Sequence, residues 1–175
     1  MLTLILGGAR SGKSGHAQRL AEASGRPVCY VATAEAGDAE MAARIARHRA
    51  ERPGHWLTRE EPRHPERAFD AAACVVLDCL TLWLSNWLCR DDVVGFAAAR
   101  ASLLAAAADV ASDPARQLIL VANEVGLGVI PMGALSRRFV DEAGWLNQEI
   151  ARLADTVVFM AAGLPLYLKG TPGND

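Results

Sequence analysis

Short apolar runs recur along the chain, and segments with helical spacing separate them. The first run, residues 2–6, stops at Gly7 and Gly8 and predicts a buried strand. Residues 14–24 then read as a helix closed by Gly25 and Pro27. "PVCYVAT" (27–33) is rich in β-formers and predicts a second strand. Asp38 can cap a helix reaching to about Arg52, and Pro53-Gly54 ends it. Residues 53–65 hold three prolines, two histidines and Trp56, a composition that predicts a shaped loop. Further strands are expected at "ACVVLDC" (73–79), "RQLILVANE" (116–124) and "TVVFMA" (156–161). "LPLYLKG" (164–170) adds a short edge strand. Helices are expected over 80–111, with a break near Asp91-Asp92, and over 134–154.

The strands are continuously apolar, as strands covered on both faces are, and they alternate with helices. That order predicts an α/β fold with a mostly parallel sheet flanked by helices and a short C-terminal edge strand. Its 175 residues suit one domain, read as 1–170, with 171–175 as a frayed tail. In such sheets ligands gather at the carboxyl ends of the strands. The segments to inspect are therefore GGARSGKS, TAEAGD, DCLT and NEVGLG.

Charge narrows the partners. A formal net charge of −2 with 22% charged residues gives no basic footprint for nucleic acid. No stretch is read as a membrane span, and the N-terminus does not read as a signal peptide. Cys29, Cys74, Cys79 and Cys89 lack C-x-x-C spacing and sit among apolar residues, which predicts reduced thiols in a cytoplasmic protein.

GGARSGKS fits G-x-x-x-x-G-K-S between a strand and a helix, making the fold P-loop NTPase-like. Gly7, Gly8, Ala9, Arg10, Ser11 and Gly12 bring backbone N–H groups onto phosphates, aided by the helix N-terminus. Lys13 reaches the β/γ-phosphates, and Ser14 offers a hydroxyl to Mg²⁺. Asp78, at the end of "VVLD", is the expected second Mg²⁺ residue; its other reading is a cap for the helix beginning at Leu80.

The 38–56 stretch carries a second constellation. On a helix Met41, Ile45, His48 and Arg52 share one face, with Arg44 bordering it. One reading is a half-packed histidine above a solvated arginine face, with Glu40–Arg44 as a spaced pair. The other is chemical. A neutral imidazole can act as a nucleophile toward phosphorus, and arginines suit the charge that builds there.

The blocks "LGGARSGKS", "YVAT", "EMAARIARHRAERPGHWLTREEP", "VVLDCLTLWLSN", "LVANEVGLGVIPMGALSRRFVDEAGWLNQEIA" and "ADTVVFMAAGLPLYLKG" cover nearly the whole chain. In them the sequence resembles the bifunctional adenosylcobinamide kinase / adenosylcobinamide-phosphate guanylyltransferase family of cobalamin biosynthesis. "RIARHRAERPGHW" and "NEVGLGVIP" are the specific blocks; the P-loop alone is not. The resemblance implies two reactions. Adenosylcobinamide is phosphorylated on its aminopropanol hydroxyl by ATP or GTP. GTP then donates GMP to that phosphate through a guanylylated histidine, giving adenosylcobinamide-GDP and pyrophosphate. The matching histidine is His48; the preceding position, a histidine in some members, is Arg47 here. His55 is a weaker alternative, and His16 and His64 read as structural. By the same matching Thr33, Arg49, Ala50, Glu51 and Arg52 contact nucleotide, and Glu60 is a candidate for the guanine N1 and N2 hydrogens. Asn123 and Glu124 either position substrate or metal or belong to a structural loop. The pairs Trp83–Trp87 and Leu84–Leu88 read as core or subunit interface, and the family implies a homotrimer.

Two other functions fit the phosphate loop alone. A simple small-molecule kinase would need only Lys13, Ser14, Asp78 and a substrate base. A nucleotide-dependent switch would hydrolyse triphosphate on meeting a partner.

Overall fold

The computed structural model describes residues 1–50, 52–90 and 92–171, with the side chain of Arg44 outside that description. The expectations placed on Glu51, on Asp91, on the Arg44 side chain and on 172–175 lie outside the described residues. The strands are β1 (Leu2–Gly7), β2 (Val28–Ala32), β3 (Leu57–Glu60), β4 (Cys74–Asp78), β5 (Gln117–Asn123), β6 (Thr156–Ala161) and β7 (Leu164–Lys169). The helices are α1 (Lys13–Ala23), α2 (Ala39–Ala50), α3 (Leu80–Leu88), α4 (Val93–Ser112) and α5 (Ala134–Leu153). The strands form a seven-stranded sheet in the order β3-β2-β4-β5-β1-β6-β7. Every neighbouring pair is parallel except β6 and β7, which meet antiparallel.

Apolar side chains fill both faces of the sheet. On one face Leu4, Val31, Leu77 and Leu120 pack under α3, α4 and α5 through Trp83, Leu84, Leu103, Leu146 and Ile150. On the other, Ile5, Tyr30, Val76, Ile119 and Val158 pack with Ala17 and Ala21 of α1. Trp83 and Trp87 are buried, so their spacing serves the core. Both indole N–H groups donate to the Arg63 carbonyl, at 2.9 and 3.2 Å, and so tie down the segment after β3. Asp38 caps α2 by accepting from Met41 N at 2.7 Å, and Asp92 caps α4 by accepting from Gly95 N at 2.8 Å.

One expectation needs correction. Residues 57–60, read as loop, form edge strand β3, which pairs with β2 from Cys29↔Leu57 to Ala32↔Glu60. "LTRE" has little apolar signal because the strand is largely exposed; its order comes from the β2 backbone. Helix α4 is long and apolar enough to cross a membrane by length and composition alone. In the fold one stripe of α4, Phe96, Ala99, Leu103, Ala107 and Val110, is buried in the core. Its Arg100 bonds to Glu142 at 2.8 Å and Glu149 at 2.9 Å on α5.

Candidate functional site

The loop between β1 and α1 has a backbone that few residues could follow. Gly7 has φ 153°, and a Cβ there would lie 2.5 Å from the Met160 carbonyl oxygen, which the β1–β6 pairing fixes in place. Gly12 has φ 96° and closes the loop onto α1. Gly7→Ala is therefore expected to lower the melting temperature by several degrees, about 1–3 kcal/mol for strain of this kind. A thermal melt matching the wild type would show that the loop tolerates a side chain.

The loop forms one wall of a cavity of about 660 Å³. Residues Ala9 to Gly15 line that wall; Met41, Ile45, Arg47, His48 and Arg52 line another; Tyr30, Asp78 and Asn123 complete the floor at the strand ends. The two constellations predicted from sequence thus face one space. Met41 and Ile45, the apolar neighbours of the half-packed reading, line the cavity together with His48.

Lys13 is only 7% exposed, and its Nζ donates to the Gly8 carbonyl at 2.7 Å. Burial pushes its pKa down, and the Asp78 carboxylate opposes that shift. Asp78 does not cap α3: Cys79 holds the cap position. Instead Asp78 Oδ2 accepts from Ser14 Oγ at 2.9 Å and from the Tyr30 hydroxyl at 2.5 Å. The buried Tyr30 phenol is held far above its usual pKa, first by burial and then by the Asp78 charge, so it donates. A hydroxyl and a carboxylate in contact at the phosphate loop are hard oxygen donors, and they fit Mg²⁺, which takes few protein ligands when phosphates supply others. Among the described residues there is no cluster of three or more His, Cys, Asp or Glu that could hold a metal by itself.

Other expected residues stand further out. Thr33 is fully buried; its hydroxyl donates to the Cys79 carbonyl at 2.7 Å and accepts from Cys79 N at 2.9 Å. It shapes the chain after Asp78 and is not among the cavity-lining residues. Arg49 and Ala50 are exposed and also stand outside the lining. Arg49 pairs with Glu60 at 3.4 Å, and both side chains are more than 60% exposed. His55 is exposed in the turn before β3, His64 precedes the short 3-10 turn Pro65–Ala68, and His16 is buried in α1. Asn123 donates to Thr81 Oγ1 at 3.1 Å, while Glu124 accepts from Gly126 N at 2.6 Å.

Tyr30 is one of the lining residues that pattern reading passes over, because it looks like one more β-former in a buried strand. The available signal is that a buried tyrosine hydroxyl needs a partner.

Two solved structures share the fold. The RadB recombinase matches with a TM-score of 0.54 at 17% identity, over 90% of this chain and 73% of that one. An ATPase of a bacterial type III secretion system matches with a TM-score of 0.56 at 12% identity, over 95% and 56%. Sequence relatives are much nearer. The bifunctional adenosylcobalamin biosynthesis protein CobP of Pseudomonas aeruginosa is 54% identical over 98% of this chain and 99% of its own. CobU of Escherichia coli, described in the same words, is 37% identical over 97% of this chain and 100% of its own. A family model described as cobinamide kinase / cobinamide phosphate guanyltransferase matches residues 3–168, and the chain belongs to that family.

Proposed function

We propose that both transfers of this bifunctional enzyme use the single cavity between the phosphate loop and α2, and that His48 is the residue guanylylated. The observation that carries this reading is that His48, Arg47 and Arg52 line the same cavity as Ala9 to Gly15. In the kinase reaction the cobinamide hydroxyl oxygen attacks the γ-phosphorus of ATP or GTP. The bond to the β-bridging oxygen breaks, the nucleoside diphosphate leaves, and the hydroxyl proton is released. In the second reaction an imidazole nitrogen of His48 attacks the α-phosphorus of GTP, and the bond to the pyrophosphate breaks. A phosphate oxygen of cobinamide phosphate then attacks that phosphorus, the P–N bond breaks, and the histidine is restored.

Lys13 and the loop N–H groups hold the β- and γ-phosphates in both reactions, and Arg47 and Arg52 offset charge on the histidine side. Ser14 and Asp78 would hold Mg²⁺, which neutralises phosphate charge when bound. Glu60, with Arg49, stands beyond the cavity lining as the candidate contact for guanine, and Thr33 supports nucleotide binding through Cys79. Four free cysteines and triphosphate substrates support a cytoplasmic setting. The exposed Leu127, Val129, Ile130 and Met132 offer an apolar surface for assembly, which supports the homotrimer implied by resemblance.

GTP labelled at the α-phosphate should leave acid-labile label on the protein, and GTP labelled at the γ-phosphate should not. An active kinase that acquires no α-label would favour the simple kinase. Hydrolysis without any corrinoid product would favour the switch.

A further inference from the structure

We infer that Tyr30 is a positioning residue that holds Asp78 and Arg52 in one arrangement, joining the phosphate-loop side of the cavity to the histidine-bearing side. The inference rests on the shared cavity proposed above. Tyr30 sits on β2 opposite Val76 of β4, two residues before Asp78. Side chains two apart share a face of the sheet, so the phenol reaches diagonally to the carboxylate. Its hydroxyl donates to the same Asp78 oxygen that accepts from Ser14. The face of the ring does something else. The Arg52 guanidinium lies over it, with Cζ 3.8 Å from the ring centroid.

Arg52 follows α2 and stands four residues beyond His48. Its Nε is buried without a hydrogen-bond partner, so its hydrogen bonds alone do not fix the guanidinium. The ring does so instead, by a cation–π contact in a largely desolvated place. One side chain therefore touches the acid at the proposed Mg²⁺ position with its edge and the cation beside the proposed nucleophile with its face. A plain apolar residue on β2 would fill the core equally well and do neither.

The two contacts can be separated. Tyr30→Phe keeps the ring under Arg52 and removes the bond to Asp78. Tyr30→Leu removes both, and Arg52→Met removes the cation from the opposite side. Binding of a fluorescent GTP analogue, titrated with Mg²⁺, reads the first contact without turnover. In Tyr30→Phe the Mg²⁺ concentration at half-maximal binding should rise about tenfold, as for loss of an outer partner of a ligating group. A purely structural tyrosine would lower the melting temperature and leave that midpoint alone. A wild-type midpoint in folded Tyr30→Phe overturns the inference.

For the second contact, the rate of α-label transfer to protein at saturating Mg²⁺ should be about tenfold lower in Tyr30→Leu than in Tyr30→Phe, and about tenfold lower in Arg52→Met than in wild type. The scale is that of a desolvated cation–π contact. Should Tyr30→Leu fail to fold, Arg52→Met still decides: label transfer at the wild-type rate overturns this half. If wild-type protein takes no α-label, the shared-histidine reading fails, while the Mg²⁺ midpoint of Tyr30→Phe still tests the tyrosine.

Discussion

His48→Ala will make cobinamide phosphate and stop there. The substitution removes the proposed nucleophile, and no other histidine is placed to replace it: His55 is exposed beyond the helix, and His16 and His64 stand outside the cavity lining. Loss of a covalent nucleophile should lower guanylyl transfer by at least about 1,000-fold, roughly 4 kcal/mol of transition-state stabilisation. Phosphorylation, proposed to draw on Lys13, Ser14 and Asp78, should stay within about tenfold of wild type. His48 lines the cavity at an intermediate exposure, so alanine enlarges the site without opening a hole in the sheet core. Chromatography of a reaction with cobinamide, GTP and Mg²⁺ reads both steps at once. Cobinamide phosphate should accumulate, cobinamide-GDP should be missing, and α-label on the protein should vanish. Unchanged cobinamide-GDP formation would remove the histidine from the mechanism. Equal loss of both products would make His48 a binding residue.

The sequence made this prediction possible because both halves of the site announce themselves locally. The phosphate loop needs glycine at positions where the backbone takes positive φ, such as Gly12, and a lysine directly after it. The histidine block has helical spacing and its own cap at Asp38. Each sits just after a strand with a continuous apolar run, and parallel topology brings strand ends to one edge. What stayed illegible depends on pairing across the sheet. Tyr30 and Asp78 are 48 residues apart, and only the β2–β4 register sets the phenol beside the carboxylate. Thr33 looks like a nucleotide contact by position, yet the same juxtaposition turns its hydroxyl onto the Cys79 backbone. Strand β3 escaped because a short exposed edge carries no alternation.

Lys13→Ala should disable both reactions, and by similar factors, where His48→Ala separates them. On the shared-cavity proposal, in the kinase step the lysine faces charge on the transferring γ-phosphoryl group. In guanylylation it faces the same β- and γ-phosphates, now as the pyrophosphate that leaves. On that proposal one ammonium would serve as transition-state clamp in the first and leaving-group clamp in the second, and each rate should fall about 100- to 1,000-fold. Lys13→Arg should recover little, because a planar guanidinium cannot occupy the narrow buried place from which Nζ reaches the Gly8 carbonyl.

The same burial sets the pH behaviour. Desolvation lowers the Lys13 pKa, with Asp78 opposing. The free enzyme should thus lose the ammonium at a lower pH than an exposed lysine would. As pH rises, kcat/KM of both reactions should fall along a shared alkaline limb below the usual lysine range. Bound phosphates favour the charged form, so the corresponding limb in kcat should lie higher. Linkage gives the opposite sign for folding. Between the folded and unfolded pKa values the native state binds fewer protons, so this group makes stability rise with pH through that window. Lys13→Met, which removes the buried charge, should therefore melt no lower than wild type while losing both activities. Alkaline limbs at different pH for the two reactions, or a Lys13→Ala protein that loses only one of them, would mean that they do not share this lysine.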